Sequence, residues 1–215
     1  MERAATYQAG QADWEALTGN SSAAKNDAAA ALKTSKARDV EYAAAFAVAV
    51  AGDYAGARSI AKDLAKRFPE DTSGKFNYLP ALHGLFALHN GSPEQAVELL
   101  LPAVAYEFSV APVDFNTFFG GLNPIWVRGH AYLAEHRGTE AAVDFQKIID
   151  HKGLLASDPI GALAHLELGR AYAIAGERTK AFKDFLSSGK MPIPRSPSTS
   201  KPRPSTLGCS NLSST

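Results

Sequence analysis

Six histidines, one cysteine and a few acid–histidine neighbours are the residues of this 215-residue chain that could do chemistry. A helical zinc site needs imidazoles at i, i+4 with a carboxylate completing the set. His83 and His89 are six apart, as are His130 and His136, and no HExxH occurs. Nucleophilic catalysis needs a serine or cysteine beside a base that an acid orients. Cys209 stands alone near the C-terminus, and no serine lies in an elbow-type motif. Glu135-His136 and Asp150-His151 are adjacent in the chain and so fall on different helix faces. One thiol builds neither a disulfide nor a cysteine-based metal site. The expectation is a protein without metal or cofactor, and not an enzyme.

The formal charge is zero, with 22 basic and 22 acidic residues. Lys190, Arg195, Lys201 and Arg203 all follow Leu186, where no acid occurs, so the body carries 18 basic against 22 acidic residues. An acidic body lacks the footprint of a nucleic-acid binder. No run of eighteen apolar residues occurs, which excludes a membrane-spanning helix of ordinary length. The N-terminus has no apolar h-region. A cytoplasmic location is expected, or an extracytoplasmic one if a membrane-anchored parent carries the chain.

The elements that must position any site come from a repeat. "RGHAYLAEHRGTEAAVDF" from Arg128 and "GRAYAIAGERTKAFKDF" from Gly169 align at an offset of forty residues, matching Gly129 with Gly169, Tyr132 with Tyr172, Ala141 with Ala181 and Phe145 with Phe185. Alanines recur at 24, 57, 96, 141 and 181, and five residues earlier stand Gly19, Gly52, Gly91, His136 and Gly176. Apolar residues between these marks follow three-and-four spacing, so each repeat reads as an antiparallel helix pair with its turn at the glycine. The small residues allow close crossing and the aromatics fill the gap beside them. Truncating Phe145 should cost roughly 3–5 kcal/mol. Ser92-Pro93, Asn123-Pro124 and Asp158-Pro159 read as caps with proline at the first helical position; SPEQ from Ser92 has the form of a phosphosite but reads better as a capping residue. Phe68-Pro69 should end a helix. Pro80 should delay a helix start and Pro102 should kink one. The loop 109–122, with Phe115, Phe118 and Phe119, reads as tucked into its own repeat. One pair cannot cover its own apolar face, so neighbours must stack. The fold expected is all-α, a right-handed solenoid of about five helix pairs over residues 1–186, followed by a disordered Ser/Thr/Pro-rich tail over 187–215.

Leu168-Gly169-Arg170-Ala171-Tyr172 with Gly176, Ala181 and Phe185 resembles the tetratricopeptide-repeat pattern position by position. The stretches "LAKRFPEDT", "FNYLPAL", "FQKIIDHKG" and "DPIGALAHLELGRAYAIAG" resemble the C-terminal repeat region of bacterial proteins that fuse a serine/threonine kinase, or sometimes a winged-helix DNA-binding domain, to such repeats. The resemblance implies an interaction or regulatory module that binds protein or peptide partners. The glycine-rich loop, HRD and DFG of a kinase are absent from this chain.

A partner would lie on the concave face, lined by the first helix of each pair. That face is expected to carry Asp39, Tyr42 and Phe46; Tyr78, Leu85 and His89; Asn123, Trp126, His130 and Leu133; and Leu166 and Arg170. Aromatics with a few hydrogen-bonding groups suit an extended peptide or a partner helix. Two other readings stay open: an enzyme using the groove as a pocket, and a truncated remnant of a kinase–repeat protein. The tail bears on the second. A two-base shift in synonymous codons from Pro204 permits EYARLQ and a stop, a helix-like ending, so the tail reads as a frameshift product that replaced the closing helix. Oligomeric state is left undetermined.

Overall fold

The computed structural model describes residues 2–108, 121–155, 158–177 and 179–180. Nine α-helices occur among them, and no strand: α1 Glu2–Leu17, α2 Ser21–Thr34, α3 Arg38–Val50, α4 Tyr54–Arg67, α5 Leu79–His89, α6 Pro93–Leu100, α7 Asn123–Ala134, α8 Gly138–Asp150 and α9 Ile160–Ile174. Ala181, Phe185, the loop phenylalanines and the tail lie outside the described residues.

The turns show why the chain folds back at regular intervals. Gly19, Gly52, Gly91 and Gly176 take φ of 89°, 87°, 73° and 79°, and His136 takes 58°. Each makes the same pair of closing bonds. Gly52 N donates to Ala49 O at 2.9 Å and Asp53 N to Val48 O at 3.0 Å; His136 N donates to Leu133 O at 3.1 Å and Arg137 N to Tyr132 O at 2.8 Å. These bonds satisfy the last carbonyls of a helix whose next residue is left-handed. Sequence spacing places all five turns correctly, including the histidine.

α1 packs on α2, α3 on α4, α5 on α6 and α7 on α8 within pairs; α1 meets α3, α3 meets α5, α5 meets α7 and α7 meets α9 between them. The architecture is therefore an all-α stack of antiparallel helix pairs, with the first helices forming one continuous layer. The first pair is held by small residues: Ala5, Ala9, Ala12, Ala24, Ala28 and Ala31 are wholly buried. Further along, larger side chains fill the joints. A Cβ on Gly129 would lie 2.7 Å from the ring of Phe145, and one on Gly138 would lie 2.4 Å from the Ala171 carbonyl. Gly129 thus gives Phe145 its seat, as its place in the repeat predicts. Gly138 brings α8 against the backbone of α9.

The proline and cap expectations need adjustment. α4 ends at Arg67, before Phe68-Pro69, as expected. Pro80 does not delay the start of a helical run: a five-residue π turn, Gly74–Tyr78, leads directly into α5, with Leu79 N donating to Gly74 O and Pro80 in the first turn of α5. Pro102 does not kink α6; the helix stops at Leu100 and continues as a 3-10 segment, Leu101–Tyr106. Asn123 is not a cap: Leu122 precedes α7, and the Asn123 side chain turns inward instead. Asp158 accepts from Ile160 N at 2.9 Å and does cap the entry to α9.

A buried ion network anchors the segment before residue 109. Arg128, 4% exposed, donates to both oxygens of Asp144 at 2.8 and 2.7 Å and also binds Glu107. Lys147 reaches the second Glu107 oxygen at 3.4 Å. No helix among the described residues is long and apolar enough to cross a membrane.

Candidate functional site

The inner layer brings together residues far apart in the chain. Asn123 Nδ2 on α7 donates to the Tyr42 hydroxyl on α3 at 2.8 Å. The Tyr42 ring lies flat on that of Tyr78, with centroids 3.9 Å apart and planes 4° from parallel. The Tyr78 hydroxyl donates to Asp39 Oδ1 at 2.8 Å. Arg38 closes the line, donating to Asp39 Oδ1 at 2.8 Å and to Asp71 Oδ2 at 2.7 Å. Burial raises both tyrosine hydroxyls well above their ordinary range, so each stays protonated.

This chain of contacts corrects the picture of an open lining. Tyr42, Tyr78 and Asn123 are 1%, 3% and 0% exposed and belong to the interior. The physical reason is curvature. Leu17 at the end of α1 packs against the core cluster that α7, α8 and α9 share, so the first pair reaches over to the far end of the stack. Asp39 is half-buried beneath Arg38. His89 does not join the group; it is exposed at the turn end of α5 and stacks on Tyr54 of α4 at 3.7 Å.

A second group lies where α7 meets α9. Trp126 sits edge-on to His130 with centroids 4.2 Å apart, between Phe46 at 6.3 Å and Phe145, which is 5.6 Å from His130. Both rings are partly exposed, yet Trp126 Nε1 and His130 Nε2 are shut off from solvent with no hydrogen-bond partner. Burial, aided by the positive charge of Arg170, lowers His130 to about 4. It is neutral at pH 7. Arg170 is exposed and donates to Glu167 Oε1 at 2.8 Å, while Glu167 Oε2 has no partner. Burial raises the Glu167 carboxyl above its usual range.

The repeat-signature residues are placed as follows. Ala141 and Phe145 are fully buried, and Gly129 underlies Phe145. Tyr132 is half-buried with Arg137 4.6 Å from its ring centroid, and Tyr172 carries Lys180 at 5.4 Å. Gly169 lies on α9.

Sequence reasoning missed Asp13. It is 1% exposed on α1, and neither carboxylate oxygen has a hydrogen-bond partner. Burial raises its carboxyl well above the usual range, and the charge of Asp158 raises it further. The signal lay in α1 itself: Asp13 falls beside Ala9, Ala12 and Ala16 on the helix's buried face.

Chemically, the arrangement offers partly exposed aromatic surface beside an exposed guanidinium. Neutral His130 has tryptophan and phenylalanine rings beside it, with no hydroxyl or thiol bonded to its Nε2. Among the described residues no three His, Cys, Asp or Glu side chains could hold a metal ion.

No family model matches the chain, and no curated protein does. A solved structure with some likeness is that of a Podosopora anserina kinesin light chain with nearly identical TPR-like repeats. It is 19% identical, with 85% of this chain and 92% of that one covered at a TM-score of 0.49. The stacked-pair architecture described above rests on this chain's own turns and contacts.

Proposed function

We propose that this chain is a protein-interaction module, without catalytic activity of its own, that holds a peptide or protein segment along the inner layer of first helices. The accessible part of that layer is its α7–α9 end, where Trp126, His130 and Arg170 combine partly exposed aromatic surface with an exposed cation. The observation that carries the reading is the grouping of two partly exposed rings, Trp126 and His130, with the exposed Arg170 at the same end of the layer. Aromatic surface beside an arginine is the kind of patch that anchors a peptide or partner helix. The resemblance of residues 158–176 to kinase-linked repeats favours a regulatory role within a larger signalling protein, with residues 1–186 as the binding module.

Peptides selected from a random display library against the full chain test this. Trp126→Ala and Arg170→Glu should each weaken the best peptide at least tenfold, as expected for aromatic and arginine anchors. Unchanged affinity in both variants overturns the proposed site.

A further inference from the structure

The second helices of the pairs are unevenly charged. α4 holds Arg58, Lys62, Lys66 and Arg67 against one acid, Asp63, whereas α6 holds Glu94 and Glu98 and no base. Local pairing answers several charges in both regions. Asp63 meets Lys36 at 3.5 Å, and Glu41 meets Arg67 at 2.6 Å. Glu135 and Glu140 both bind Arg137, at 3.0 and 2.9 Å. Lys62, Lys66, Glu94 and Glu98 are left over: all four are exposed, and none forms an ion pair among the described residues.

Each unpaired set borders a hollow. Lys62 and Lys66, with Lys36, edge a groove between α2 and α4 in which half-buried Leu32 and Ile60 supply apolar surface. Glu94 and Glu98 edge a second hollow, between α6 and the α7–α8 turn, which Val97, Glu135 and Arg137 complete. Glu94, Val97, Glu98 and Leu101 follow at i, i+3, i+4 and i+7, the spacing of one helical face. Leu101, just beyond α6, is 59% exposed. α6 is thus an acidic ridge with an apolar line along it, and the α2–α4 groove is basic with an apolar lining.

We propose that this surface is a contact between two copies of the chain, in which α6 of each copy lies in the α2–α4 groove of the other. Charge complementarity selects the occupant. The lysines and the glutamates are both spaced i, i+4, about 6 Å apart on a helix. With the two helices antiparallel, Lys62 meets the partner's Glu98 and Lys66 the partner's Glu94 in a single register. Val97 and Leu101 then face Leu32 and Ile60, which gives the contact an apolar middle and a charged rim. α4 and α6 both pack on α5, and one twofold axis over α5 seats both copies at once. The contact is self-complementary and closes at two copies. Exposed ion pairs are individually weak and screened by salt, so the dimer belongs to high chain concentration and low ionic strength. None of these residues lies on the inner layer of first helices, so this contact and binding along that layer stand or fall separately.

Sedimentation velocity of the full chain tests this, with reductant present to keep Cys209 from cross-linking. At low salt the native chain should form a dimer whose share grows with concentration up to about 0.5 mM. Raising the salt from about 50 to about 500 mM should remove most of it. Lys62→Glu with Lys66→Glu should weaken the dimer at least about tenfold, as should Glu94→Lys with Glu98→Lys, because each sets like charges face to face. An equimolar mixture of these two variants restores opposite charges at both halves of the contact and should recover the dimer. Leu101→Ser, which leaves the charges alone, should also weaken it and carries the test if a reversed chain does not fold. A native chain that stays monomeric at low salt overturns the proposal. So does a dimer that survives both reversals, or a variant mixture that remains monomeric.

Discussion

Asn123 Nδ2 lies 2.8 Å from the Tyr42 hydroxyl across 81 residues of sequence, and this contact joins α7 directly to α3. Through the ring stack on Tyr78 it also engages the entry to α5. Three repeats share one buried polar seam. Tyr42→Phe keeps the ring stack but strands the Asn123 donor, which should cost about 1–3 kcal/mol in urea denaturation. Asn123→Ala in the Tyr42→Phe background should cost less than it does alone, because the two groups act as one unit.

Gly129 seats Phe145 by having no side chain. A Cβ there would meet the ring at 2.7 Å, so Gly129→Ala should cost about 1–3 kcal/mol by overpacking. Reducing the ring with Phe145→Leu in the same chain should recover part of that loss, read from denaturation midpoints. Strictly additive losses would mean the two residues do not meet.

His136 performs a turn that glycine performs in four other repeats, at φ 58°. Left-handed backbone costs an L-residue about 1–2 kcal/mol, and glycine is free of that cost. His136→Gly should raise stability by about 1 kcal/mol after glycine's larger unfolded-state entropy is counted. Gly52→Ala should lower it by a similar amount, both seen as shifts in Tm.

His130 gives the stack an acid-sensitive joint. Its closed-state value is lowered from 6.5 to about 4, so the unfolded chain binds the proton more readily between those values. Stability from this group is fully present above pH 6.5 and is lost as pH falls toward 4, by on the order of 2–3 kcal/mol. His130→Phe should flatten that part of the pH–stability curve.

What could be read from the sequence was what repeats. The spacing from Gly19 to Gly176 marks every hairpin turn, because a left-handed residue closing a helix leaves a local signature in residue type. Gly129 and Phe145 were legible for the same reason, as a small residue opposite a large one at a fixed offset. Less local features were not. Asn123 before Pro124 has the chemistry of a cap, and nothing nearby tells that Tyr42 competes for its amide. Arg128, Glu107 and Asp144 look like ordinary surface charges until three elements converge on them. The inner layer was legible as a set of helix faces, but its curvature was not. That curvature decides whether Tyr42 and Asn123 line a groove or sit inside the stack.

The chain's two tryptophans give the most direct test of the inner layer as a binding surface. Trp14 is 44% exposed on α1, while Trp126 holds its partnerless indole nitrogen beside His130. Indole-labelled NMR of the full chain resolves one N–H signal from each, and a peptide selected against the chain is then added. The account predicts that the Trp126 signal moves on binding while that of Trp14 stays in place. A peptide that binds tightly, shifts Trp14 and leaves Trp126 unmoved would contradict it.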